Sequence, residues 1–141
     1  SGGCAMIEAA RTAVEGTATR ILAVTVLTSI NASVLCEEVG FSETPEEAVR
    51  RLASQAVKAG AHGIVCSPLE LGITREVLGA EPLIVSPGVR PEWASRDDQA
   101  RVMTPRAAAQ AGASMVVVGR PILKHPYPSE AVSLILEELN S

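Results

Sequence analysis

Four short apolar runs recur along the chain, and each ends at a small polar residue or a backbone breaker: Ile21 to Leu27, Ile64 to Cys66, Leu83 to Val85 and Met115 to Val118. Runs of this length, unbroken by polar alternation, suit strands covered on both faces, as in a parallel sheet. Helical signals lie between them. Ala5 to Val14 is helical, with Gly16 as its stop. Thr44-Pro45-Glu46-Glu47 opens a second helix with a threonine cap, proline in first position and glutamate in third, and this helix runs to Ala59-Gly60. Glu70 to Leu78, a segment beginning at Thr104-Pro105, and Ser129 to Leu139 supply the rest. Strand then helix, repeated, predicts an α/β architecture with a parallel sheet. Four such strands leave two edges. An open flavodoxin-like sheet manages this alone, whereas a barrel needs about eight strands, which would make this chain half of one.

Two stretches echo each other, Ala59-Gly60-Ala61-His62-Gly63-Ile64-Val65-Cys66 and Ala111-Gly112-Ala113-Ser114-Met115-Val116-Val117-Val118. Both have the pattern of a helix end, a glycine cap, a short bridge and a buried strand. Either the chain repeats a two-βα unit or Ala-Gly-Ala is simply a common way to close a helix. The 141 residues are 47% hydrophobic and suit one globular unit. Aromatics are only 2%, too few for stacking on nucleic-acid bases, and a net charge of −4 with both signs scattered gives no polyanion-binding surface. The apolar runs are too short to span a bilayer and no basic leader opens the chain, so no membrane partner is expected. Cys4, Cys36 and Cys66 match no zinc or disulfide spacing, which favours buried, reduced thiols and a cytoplasmic location.

The ends of the last two strands carry the strongest chemical signal. After Leu83 to Val85 come Ser86-Pro87-Gly88-Val89-Arg90-Pro91: a sharp turn, a glycine that lets backbone approach a ligand, and a guanidinium suited to carboxylate or phosphate. Gly119-Arg120 repeats that provision after Val118. The two arginines could equally be solvated or paired with one of the many glutamates. Ser95 to Gln99 lies in a long polar loop of the kind that forms lids, and the Gln99 amide could serve an anion or simply the surface. Thr28-Ser29 could meet a heterocycle edge or merely start a turn. His62 and His125 have no partner at ligand or triad spacing and are expected to be structural.

ILAVTVLTS, GIVCSP, LIVSPGVRP and DDQARVMTPRAAAQAGASMVVVGRPI follow in this order. Together they resemble orotidine 5′-monophosphate decarboxylases of the bacterial type, over nearly the whole chain. The resemblance implies the (β/α)8 TIM-barrel family. Residues 1–141 would form a single unit, the C-terminal half-barrel of about the last four βα units, starting after that family's fourth strand. It implies a lyase of pyrimidine biosynthesis converting orotidine 5′-monophosphate to UMP as a homodimer, with no cofactor and no metal. Thr28 matches the position that helps hold the nucleotide. Arg90, Gln99, the Gly119 backbone and Arg120 match the positions that grip its phosphate.

The departure is large. The family's catalytic Asp-x-Lys-x-x-Asp motif has no counterpart, because the chain's aspartates are Asp97 and Asp98 and its lysines Lys58 and Lys124. No catalytic residue is therefore expected in this chain, and alone it should be inactive. A non-catalytic phosphate-binding α/β module and a half-barrel fragment without activity are the other readings. Exposed apolar strand faces, at Val24, Ile64, Ile84 and Val116 or their neighbours, predict self-association or pairing with an N-terminal half-barrel.

Overall fold

A computed structural model describes residues 2–94 and 102–141. Four parallel strands, β1 (Leu22–Val24), β2 (Gly63–Val65), β3 (Leu83–Pro87) and β4 (Met115–Val117), pair in sequence order. Around them the described residues form α1 (Gly3–Ala13), α2 (Ala32–Glu37), α3 (Pro45–Lys58), α4 (Leu71–Leu78), α5 (Pro105–Gln110), α6 (Arg120–Leu123) and α7 (Pro128–Leu139). A 3-10 turn, Pro68–Glu70, leads into α4. Sequential parallel pairing with helical crossovers is the βα arrangement that the apolar runs predicted.

The helix starts follow local chemistry. Thr44 Oγ1 accepts from the Glu47 N–H at 3.3 Å while Glu47 Oε2 accepts from the Thr44 N–H at 2.8 Å, the reciprocal cap expected of this sequence. Thr104 caps α5 by accepting from the Ala107 N–H at 3.2 Å. The first strand is shorter than Ile21 to Leu27. Thr25 directs both its N–H, at 3.1 Å, and its hydroxyl, at 2.9 Å, to the Val65 carbonyl, and the ladder stops there.

The two echoing stretches are built alike. Gly60 and Gly112 sit at φ +93° and +99°, a conformation that glycine adopts without a Cβ penalty. The Ala61 N–H reaches the Ala56 carbonyl and the Ala113 N–H the Ala108 carbonyl, each at 3.0 Å. The bridge residue then ties itself to the strand before it. His62 donates its N–H to the Ile21 carbonyl and accepts from the Ile21 N–H through Nδ1, both at 2.9 Å. Ser114 does the same to Ile84, at 2.8 Å through its N–H and 3.0 Å through Oγ.

The core lies between the sheet and the helices. Ile64 and Ile84 are fully buried against Ala48, Val49, Ala53 and Ala56 of α3, Leu71 of α4 and Ala108 of α5, with Ala23 and Val116 packed beside them. Register puts Ala23, Ile64 and Ile84 on that face, and Val24, Val65, Val85 and Met115 on the other. On this second face Val24 is 57% and Met115 55% exposed. Of the residues expected on the open face, Val24 is there, while Ile64, Ile84 and Val116 face the helices and their neighbours Val65, Val85, Met115 and Val117 take the open side. A run apolar at every position carries no parity, so sequence could not assign the faces. The cysteines also differ from expectation: Cys66 is buried, but Cys4 and Cys36 are exposed. Among the described residues no helix is long and apolar enough to cross a membrane.

Candidate functional site

All four strands point the same way, so the loops after β3 and β4 leave the same end of the sheet. That is where parallel α/β folds place ligands. Beyond Pro87 the chain turns through Gly88 at φ +82°. Val89, fully buried, then makes a parallel bridge to Met103, and the Arg90 N–H donates to the Met103 carbonyl at 2.9 Å. This pins both ends of the intervening loop to one point. Arg90 is only 6% exposed, and its Nη1 donates to the Val89 carbonyl at 3.3 Å. A guanidinium so deeply placed is held on a rigid backbone rather than waving in solvent.

After β4, the Gly119 carbonyl accepts from the N–H groups of Ile122 and Leu123, both at 3.0 Å, and starts the single turn of α6. A Cβ at Gly119 would meet no atom within 4 Å, so packing does not require the glycine there. Arg120 follows as the first residue of α6.

Arg90 and Arg120 line one pocket of ≈ 200 Å³, together with Trp93, Pro121, Lys124 and His125. Thr28 lies in the turn after β1, half-buried, and does not line this pocket. Gly119 adjoins it through Arg120. Gln99, like Asp97 and Asp98, lies outside the described residues. Sequence reasoning missed Trp93, Lys124 and His125. Arg120 and Lys124 are spaced four apart, which puts them on one side of a helical turn, and that spacing was the available signal. The edge-to-face contact of Trp93 with His125, at 5.3 Å between centroids, joins residues 32 positions apart and had no local trace.

A larger cavity of ≈ 630 Å³ runs between α1, β1 and α3, but its walls are apolar, among them Met6, Ile7, Leu22 and Val24. It gathers no charged groups and marks the open edge of the sheet. At the opposite end of the strands His62 carries the backbone role described above. Burial, with Arg11 and Arg20 adding repulsion, holds its ring below the ordinary histidine value. Burial likewise pushes the Cys66 thiol up to about 11, which leaves it an inert core group.

A parallel βα sheet with an arginine-lined pocket at the carboxyl ends of its strands has the architecture of a barrel-type α/β protein. The chain belongs to the orotidine 5′-phosphate decarboxylase / HUMPS family, whose pattern matches residues 1–135. It is 49% identical to orotidine 5′-phosphate decarboxylase of Gluconobacter oxydans, covering 100% of this chain and 62% of that protein. It is 51% identical to the one from Anaeromyxobacter sp. strain K, covering 96% and 59%. The crystal structure of orotidine 5′-phosphate decarboxylase from Lactobacillus acidophilus superposes with a TM-score of 0.85 at 37% identity, covering 99% of this chain and 60% of that one. The chain thus spans about three fifths of the length of these relatives.

Proposed function

We propose that this chain is the phosphate- and nucleotide-holding half of an orotidine 5′-monophosphate decarboxylase, the C-terminal half of its (β/α)8 barrel. The observation that carries the reading is that Arg90 and Arg120, delivered by two neighbouring strands, line one pocket. In this reading they grip the 5′-phosphate, with the Gly119 backbone and Gln99 as further donors. Thr28 leaves a strand at the same end of the sheet and meets the nucleotide away from its phosphate. The phosphate takes no part in bond breaking. Its binding energy orders the site around the ring and is expressed in the transition state. Charge-assisted hydrogen bonds contribute about 1.5–3 kcal/mol each, so a few of them give several kcal/mol.

Loss of CO₂ leaves a carbanion on the pyrimidine that needs a proton donor. That role falls to the Asp-x-Lys-x-x-Asp half, for which this sequence has no counterpart. The open face of the sheet fits such a partner. α1 already flanks β1 and packs on α3, so a partner best completes the barrel with four strands that end in a strand rather than a helix.

The test is complementation. Mixed with an N-terminal half-barrel bearing Asp-x-Lys-x-x-Asp, the chain should restore decarboxylation, and alone it should show none. In the assembled enzyme Arg120→Ala should lower kcat/KM by orders of magnitude for orotidine 5′-monophosphate and barely change it for orotidine. Equal losses on both substrates would refute the phosphate role. Binding of UMP without turnover under every pairing would favour the second reading, a non-catalytic module.

A further inference from the structure

His125 is held in an arrangement that the reading of the pocket as a phosphate seat leaves unused. Its Nδ1 lies 3.1 Å from the Tyr127 backbone nitrogen and 2.9 Å from the Tyr127 carbonyl oxygen. One ring nitrogen therefore faces a donor and an acceptor of the same residue. A ring with its only proton on Nε2 accepts from the N–H through Nδ1, and a ring protonated at Nδ1, as the cation always is, donates to the carbonyl, with no rotation needed between the two states. Trp93 packs against the imidazole edge to face, at 73° between ring planes, which fixes the ring's plane and also suits a cation beside an indole. The ring lines the same pocket as Arg90, Arg120 and Lys124.

We propose that His125 is a further phosphate-binding residue of this pocket, coupled to proton uptake: seating a phosphate monoester dianion favours the protonated ring, which then adds a positive charge to the two guanidinium groups. The inference rests on the phosphate reading above and adds to it a ligand and a linked proton. Among the described residues the charged groups on the elements around His125 are Arg90 after β3, Arg120 on α6 and Lys124 at the end of that helix. α7 brings Glu130 in its first turn, and Glu92, beside Trp93, interacts with Glu138 near the other end of α7. A dianion seated beside the ring favours a positive charge on it. The proton comes from solvent and returns to it when the ligand leaves.

The chain has two histidines, at opposite ends of the strands, so ring-proton NMR reads the inference directly. The Cε1–H signals of His125 and His62 are followed against pH with no ligand, with UMP, with inorganic phosphate and with uridine, and His125→Gln assigns the peaks by elimination. UMP and inorganic phosphate should move the His125 midpoint to higher pH by about half a unit or more, while uridine leaves it in place and His62 is unaffected by all three. If UMP perturbs the Gly119 and Arg120 amides but not the His125 midpoint, the proton linkage is wrong and the phosphate seat stands. A shift of the His125 midpoint equal for uridine and UMP also overturns the linkage. If UMP perturbs neither the amides nor the ring, both readings fall.

Discussion

A protonated His62 cannot accept the Ile21 N–H, and this gives the fold a pH dependence that can be assigned to one residue. Its folded-state value lies below the ordinary 6.5. The unfolded chain therefore binds the proton more readily. The stability from the neutral ring is fully present above about pH 6.5 and is lost as pH falls through that value toward the lower folded one. Urea midpoints should fall between pH 7 and pH 5, and His62→Asn, which keeps an acceptor and cannot titrate, should flatten that fall. An unchanged slope in the variant would refute the assignment. The depressed carboxyls of Glu43 and Glu47 act below their ordinary 4.5, outside this window.

At the level of elements, one side chain ties α4 to the starts of β3 and β4. Arg75 donates to the carbonyls of Gly112 at 2.8 Å and Pro82 at 2.7 Å, and to Ser114 Oγ at 2.9 Å. Its aliphatic stem also packs where a Cβ on Gly112 would clash. Arg75→Ala should destabilise the chain by about 2–3 kcal/mol, read from urea unfolding, because it removes several hydrogen bonds to a partly buried side chain. A loss under about 0.5 kcal/mol would contradict this. The helix caps at Thr44 and Thr104 and the two glycine stops were legible in sequence because each is decided within a few residues. The short helices α2 and α6 were not, since neither is long enough to show a period. Asn31 nevertheless caps α2, its Oδ1 accepting from the Val34 N–H at 2.9 Å. The strand faces were also hidden, because Ile64-Val65-Cys66 is apolar at each position. For the candidate site, Gly88, Arg90, Gly119 and Arg120 stood out as breakers and charges interrupting apolar runs. Trp93 and His125 meet only once β3 and β4 lie side by side.

The whole molecule is a sheet with one face finished and one face open. Alanines and branched aliphatics close the helix side, while Val24, Met115 and Val117 leave an apolar surface of the kind that associates. At the carboxyl ends of the same strands the loops gather cations around a small pocket. In the proposed function two adjacent strand ends act together on one phosphate. A double-mutant cycle on UMP affinity, measured by amide NMR titration of the wild type, Arg90→Ala, Arg120→Ala and the double variant, decides this. Each single change should weaken UMP about tenfold or more, the double variant should lose less than the sum in free energy, and uridine should be indifferent to all three. Additive losses, or a single variant that binds UMP as the wild type does, would contradict it.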